Sequence, residues 1–264
     1  MQFNGKVVLV TGSGNGIGRA TALAFAREGA SIVIADIDEP AAQKTRNEIE
    51  GMGGKAISCQ ADVSQRADVE RVFGLVADHF GTLDTLVNNV GTTIRKPIVD
   101  FSEDEWDLIF DTNVKSMFLC AKEAGKMMLK QQSGIVINIS SIHGLGGIPR
   151  RLPYSTSKSA VDSLTKTLAC EWALDGVRVN AIAPGYILTD NLNMAFESGA
   201  LNKDDMIRRT PLARLGTPDN IADTALFLSS EKASFITGAV LYVDGGYAAY
   251  HGPESVPSFH HNVQ

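Results

Sequence analysis

Seven short apolar runs, separated by longer stretches with helical spacing, constrain this chain more than any other feature. The runs are KVVLVT (6–11), SIVIAD (31–36), KAISCQ (55–60), TLVNN (85–89), GIVINIS (134–140), VRVNAIA (177–183) and AVLYVD (239–244). Most lack a polar/apolar alternation, so they read as strands covered on both faces, which is the signature of a parallel sheet. Helical patterns occupy 16–28, 39–51, 66–80, 102–131, 153–173 and 218–229. Parallel neighbours need crossovers, and crossovers are right-handed, so this alternation predicts a doubly wound α/β fold. The expected sheet is seven-stranded and flanked by helices.

No repeat or linker divides the chain, so a single domain over 1–250 is expected, with a polar, proline-punctuated tail at 251–264. The one long interruption, 187–217, lies between APGY and TPDN and reads as a helical flap over the substrate. The net charge is −6 and no basic block is present, which argues against nucleic acid or an anionic lipid surface as a partner. No apolar run nears the ~18 residues that span a bilayer, and the opening MQFNGKVVLVTG turns at glycine before a signal-peptide core forms. Cys59, Cys120 and Cys170 are too scattered for a disulfide framework or a CxxC metal site. Reduced thiols, a cytoplasmic location and no metal are the expectation.

The first run ends in TGSGNGIGRA, whose glycines at 12, 14, 16 and 18 follow GxxxGxG rather than GxGxxG. Glycines let backbone turn sharply off a strand and approach a pyrophosphate, which the following helix N-terminus attracts. Alone, such a turn could equally be structural. Arg19 and Ala20 exclude a P-loop, which requires lysine and a hydroxyl. Asp36 ends the second run, where a carboxylate can accept from both ribose hydroxyls and would repel a 2′-phosphate. No lysine or arginine lies at 13–17 or 37–39, so NAD is favoured over NADP. A helix cap is the other reading of Asp36. ADV (61–63) and NNVG (88–91) end two further strands, where open α/β sheets bind ligands.

Tyr154 and Lys158 stand four apart on a helix that Pro153 can open, so they share a face. A phenol with its ordinary pKa of ~10 is a poor base near neutrality, and a neighbouring cation lowers that value. Ser141, at the end of GIVINIS, could meet the tyrosine across a substrate oxygen.

Together these residues resemble the classical short-chain dehydrogenase/reductase family. The motifs are TGSGNGIG (11–18), NNVG (88–91), Asn113 in DTNVKS, Ser141 in NISS, YSTSK (154–158) and PGYILT (184–189), in order over roughly 4–247. The resemblance implies Tyr154 as acid/base and Ser141 as polariser of the reacting oxygen. It implies that Lys158 depresses the tyrosine pKa and binds the nicotinamide ribose, and that Asn113 holds a proton-relaying water. It further implies that NAD lies along Gly12, Ser13, Asn15, Gly16, Ile17, Gly18, Asp36, Ile37, Asp62, Val63, Asn89, Val90 and Gly91. Tyr154, Lys158, Pro184, Gly185, Ile187 and Thr189 would complete that path. Val90 departs from the usual NNAG. With the alternation of strands and helices, the resemblance also implies the strand order 3-2-1-4-5-6-7. It implies a homotetramer as well, with Phe118, Leu164, Leu168 and Trp172 divided between core and interface.

Two loops add positive charge near the expected substrate mouth: SIHGLGGIPRRLPY, with His143, Arg150 and Arg151, and GTTIRKPI, with Arg95 and Lys96. A basic rim on an acidic chain suggests an anionic or polyhydroxylated small molecule, held with Tyr186 nearby, since guanidinium binds carboxylate bidentately. Surface or subunit salt bridges are the other reading. IRKPI, IAPGY and LYVDGGYAAY look most like the family's sugar-acid and polyol branch, such as gluconate 5-dehydrogenase and 2-dehydro-3-deoxygluconate 5-dehydrogenase. The alternatives are a 3-oxoacyl-acyl-carrier-protein reductase and a non-catalytic NAD-sensing Rossmann protein.

Overall fold

The structure, a computed structural model, describes residues 1–252. Seven strands form one sheet: β1 (Val7–Thr11), β2 (Ser31–Asp36), β3 (Lys55–Gln60), β4 (Thr85–Asn88), β5 (Gly134–Ile139), β6 (Val177–Pro184) and β7 (Val240–Val243). All neighbours are parallel, in the order β3-β2-β1-β4-β5-β6-β7 that the sequence predicts. The order reverses between β1 and β4, and the strands' carboxyl ends open a crevice there.

Burial on both faces explains the unbroken apolar runs. Val8 and Val10 of β1 point into one core, with Ile32, Ile34, Val87 and Ile137 from neighbouring strands. Phe25 of α1 (Gly16–Arg27) and Leu228 of α9 (Pro218–Leu228) cover that side. Val7 and Leu9 point into the other core, closed by α3 (Arg66–Phe80), α5 (Ser116–Gln131) and Trp172 of α6 (Leu152–Trp172). α2 (Glu39–Gly51) follows β2 and is capped by Asp38, which accepts from Ala41 N.

One expectation needs correction. The pattern at 102–131 is not one uniform α-helix: α4 (Glu103–Phe110) passes through a π-helical turn (Asp111–Lys115) before α5. One extra residue in a turn leaves the apolar spacing almost unchanged, so periodicity could not reveal it. α6 begins at Leu152, which places Pro153 inside the first turn, where a missing N–H leaves no intrahelical bond unmade. In the 187–217 interval stand α7 (Asp190–Glu197) and α8 (Lys203–Arg209), capped by Thr189 and Asn202. The expected tail lies outside the described residues from 253 onward.

Candidate active site

A cleft of about 1160 Å³ runs across the carboxyl ends of the strands. Its first half is built by backbone. Gly12 and Gly16 have φ of +63° and +55°, and a Cβ added at Gly18 would stand 2.1 Å from the Gly12 carbonyl oxygen. The first helix therefore packs against the turn only because Gly18 has no side chain. Asn89 Nδ2 donates to the carbonyls of Thr11 and Gly12, both at 3.0 Å, and so holds the turn from the β4 side. The Asp36 carboxylate accepts from Gly14 N at 2.7 Å and from Asp38 N at 3.0 Å, which fixes it at the cleft edge.

Gly12, Asn15, Gly16, Ile17, Asp36, Ile37, Asp62, Val63, Asn89, Val90 and Gly91 line this half, and Pro184, Gly185, Ile187 and Thr189 continue the wall. Ser13 and Gly18 do not. Ser13 is fully buried and donates to the Val10 carbonyl at 2.7 Å, so both serve the shape of the turn rather than its lining. Asp62 lines the cleft, but its carboxylate accepts from Ser64 N and Oγ at 3.0 and 2.7 Å. Val90 covers the turn, since a Cβ at Gly12 would stand 3.0 Å from its Cγ2.

The second half carries the titratable groups. Ser141 follows β5, and its Oγ accepts from His143 N at 3.2 Å, leaving its hydroxyl hydrogen free to donate. A hydrogen bond from Ser141 and the charge of Arg151 both favour the Tyr154 phenolate, but burial outweighs them and raises the phenol above its usual value. This differs from the expected depression, and the cation that favours the phenolate here is Arg151. Lys158 Nζ lies 5.7 Å from the Tyr154 ring centroid and donates to the Ile139 carbonyl at 2.9 Å. Burial pulls its pKa down to about 8, partly opposed by the negative charge of Asp162.

Asn113 is fully buried at the π-helical turn and does not line the cleft. It accepts from Thr92 N at 2.7 Å and donates to the Thr92 carbonyl and Ser157 Oγ at 3.0 and 2.9 Å. A Cβ added at Gly91 would stand 3.3 Å from Lys158 Nζ and 3.5 Å from Asn113 Oδ1, so Gly91 leaves both groups facing one small space.

His143, Arg151, Arg95 and Tyr186 reach the cleft, while Arg150 does not. His143 is buried, in edge contact with Tyr154 and Tyr186 at 5.9 and 6.0 Å between ring centroids. Burial and the charges of Arg151 and Arg95 lower its pKa to about 4, so it stays neutral near pH 7. Sequence reasoning missed Asp162, a buried carboxylate that accepts from Ser140 Oγ at 2.5 Å and ties α6 to the end of β5. Its signal was present: Asp162 stands one helical turn beyond Lys158, on the same face.

A parallel sheet with its crevice at a switch point, a glycine turn and a Ser/Tyr/Lys cluster define a Rossmann-type oxidoreductase. Residues 12–248 match a family profile described as Enoyl-(Acyl carrier protein) reductase. The 3-oxoacyl-[acyl-carrier-protein] reductase of Synechocystis sp. is 40% identical over 247 residues, covering 93% of this chain and 98% of that protein. A 7α-hydroxysteroid dehydrogenase solved with NADH and 7-oxo glycochenodeoxycholic acid superposes with a TM-score of 0.88 at 34% identity, covering 93% and 95% of the two chains. A provisionally assigned gluconate dehydrogenase from Agrobacterium tumefaciens superposes with a TM-score of 0.91 at 33% identity, covering 94% and 98%. The chain belongs to the classical short-chain dehydrogenase/reductase family, whose members use a nicotinamide cofactor.

The residues present fit such a cofactor. The glycine turn leaves a cradle that side chains would fill, and the Asp36 carboxylate stands at its edge. Among the described residues no group of histidine, cysteine and carboxylate side chains could hold a metal, and no helix is long and apolar enough to cross a membrane.

Proposed function

We propose that the protein interconverts a secondary alcohol and a ketone, with NAD preferred and a sugar acid, sugar or polyol as substrate. The observation that carries this reading is that Ser141, Tyr154 and Lys158 line the same cleft as the glycine turn. The cofactor, when bound, accepts or supplies the hydride. The Ser141 hydroxyl polarises the substrate oxygen and Tyr154 moves its proton. Lys158 supplies positive charge beside the tyrosine ring and holds the ribose end, and Gly91 leaves open the space between Lys158 and Asn113 that a relaying water would occupy. Preference for NAD rests on the carboxylate of Asp36, which a 2′-phosphate would meet as a like charge. Residues 187–217 act as a substrate flap, and the cytoplasm is the location that suits three free thiols.

A homotetramer follows the family's habit. Phe118 is half exposed on α5 and suits an interface, while Trp172 is buried in the core and Leu164 and Leu168 are intermediate.

A second reading, reduction of 3-oxoacyl groups on acyl carrier protein, is favoured by the names of the sequence relatives. Initial rates separate the two. Gluconate, xylitol, sorbitol and 3-hydroxybutyrate with NAD or NADP, beside acetoacetyl-CoA with NADH or NADPH, form the panel. Turnover of a polyol or aldonate with NAD supports the first reading, and a preference for the thioester with NADPH replaces it with the second.

A further inference from the structure

Arg150 and Arg151 are adjacent in sequence and opposite in fate. Arg150 adopts left-handed backbone with φ +67°, its carbonyl accepts from Lys96 N at 3.1 Å, and its side chain stands exposed. The reversal at Arg150 sends Arg151 inward, where only 9% of the residue is exposed. A buried guanidinium is costly unless an anion meets it. Among the described residues, Arg151 forms no ion pair. Its neighbour is aromatic instead, with Cζ 5.9 Å from the Tyr154 ring centroid.

A second guanidinium lines the same cleft. Arg95, on the loop after β4, lies close enough for its charge to disfavour protonation of Arg151, and the two act together on His143 and Tyr186. Arg95 also forms no ion pair among the described residues, whereas the next residue, Lys96, is paired with Glu105. His143 between them is neutral, so it neither adds to the charge nor balances it. Two like charges lining one partly dry cleft are unfavourable until something negative lies between them.

We propose that Arg151, with Arg95 in the same cleft, forms a carboxylate-binding subsite, and that the substrate is a small hydroxy or oxo acid carrying its own free carboxylate. This rests on the dehydrogenase reading of the same site. Distance sets the position of that carboxylate. A guanidinium beside the Tyr154 ring, bonding oxygens at about 2.8 Å, leaves room for only a few bonds between the carboxylate and the reacting carbon. A carrier-bound acyl thioester is neutral there, and its charge sits at the far end of a long arm. It would leave both guanidinium groups unmatched.

The test compares matched substrates in the full-length protein. Gluconate is set against sorbitol, 3-hydroxybutyrate against its methyl ester, and sorbitol 6-phosphate serves as the alternative anion. The variants are Arg151→Met, which keeps the apolar stem, Arg151→Lys, and Arg150→Ala. Arg151→Met is expected to lower kcat/KM for the acid by roughly 10- to 150-fold more than for its neutral partner, the range of charge-assisted bonds. The neutral partner's own loss reads the effect of the Arg151 charge on Tyr154, and NADH affinity should change less than about twofold. Arg151→Lys should restore part of the loss, and Arg150→Ala should match the unaltered protein. NADH fluorescence titrated with gluconate or sorbitol reads the same subsite without turnover. Equal losses on acid and neutral substrates, a preference for the ester or the phosphate, or no gluconate binding to the NADH complex would each overturn the proposal. Gluconate binding that Arg151→Met abolishes, with no nicotinamide-linked turnover of any substrate in the panel, would instead sink the oxidoreductase reading while leaving the acid-binding result standing.

Discussion

The two halves of the cleft are built on opposite principles. Around the glycine turn the polar groups answer one another: Asn89 holds two carbonyls, Asp36 takes two backbone N–H groups, and Ser13 returns a bond to its own strand. Around Tyr154 the hydrogen bonds are made, by Lys158 to the Ile139 carbonyl and by Ser140 to Asp162, but burial works against the charges. A phenol is pushed up, an ammonium is pushed down, and two guanidinium groups lack an internal anion among the described residues. The first half is a rigid mould for something of constant shape. The second stores electrostatic free energy that a substrate can release.

Breaking the second half at its centre should produce the largest effect. Tyr154→Phe removes the proton carrier and should lower kcat by roughly 10²- to 10⁴-fold with NADH affinity nearly unchanged, as stopped-flow rates and fluorescence titration would read. If NADH affinity falls as far as kcat, the two halves are not separable in this way.

Next comes the charge that links the halves to cofactor choice. Asp36→Ala combined with Ile37→Arg should move the NAD/NADP ratio of kcat/KM toward NADP by roughly 10- to 150-fold, the worth of one new charge-assisted bond together with relief of one repulsion. An unchanged ratio would mean that Asp36 only shapes the turn through Gly14.

The mould itself is probed by Gly18→Ala. A methyl 2.1 Å from a carbonyl oxygen must displace the helix or the turn, so a loss of about 1–3 kcal/mol in denaturant unfolding is expected, with weaker NADH binding. Gly146→Ala, where an added Cβ meets nothing within 4 Å, is the control and should be near neutral.

The smallest effect has a pH signature. Lys158 is held down to about 8 against 10.5 by burial, so below pH 8 the folded protein bears the cost of a buried charge. Between pH 8 and 10.5 the unfolded chain keeps a proton that the folded chain has shed, and stability climbs with pH. Lys158→Met removes that cost and should raise stability at pH 7 by about 1–2 kcal/mol, less than the full shift because the Ile139 carbonyl loses its donor. The gain should shrink toward pH 10.5. A variant less stable at pH 7 would show that the hydrogen bond outweighs the desolvation.

Legibility divides along the same line as the cleft. The parallel strands, the glycine turn and the shared face of Tyr154 and Lys158 were readable from local rules: unbroken apolar runs, backbone reversal without a side chain, and four-residue spacing on a helix. The strand order and the joining of Ser141 to that pair needed the family resemblance. The π-helical turn at Asn113 was not, because it changes the count by a single residue.

The chain's own order of residues thus determines a doubly wound parallel sheet and the identity of the groups at its carboxyl edge, since both depend on periodicity and residue type. Only the tertiary structure decides which of those groups face one another. It withdraws Ser13 and Gly18 from the lining and turns Arg150 out and Arg151 in through one left-handed residue. It also brings Asp162 under Ser140 and makes burial, rather than a neighbouring cation, the dominant influence on Tyr154. The physical reason is that a pKa, or the absence of a counterion, is set by everything within a few ångströms, and those neighbours come from β4, β5, β6 and α6, segments far apart in sequence.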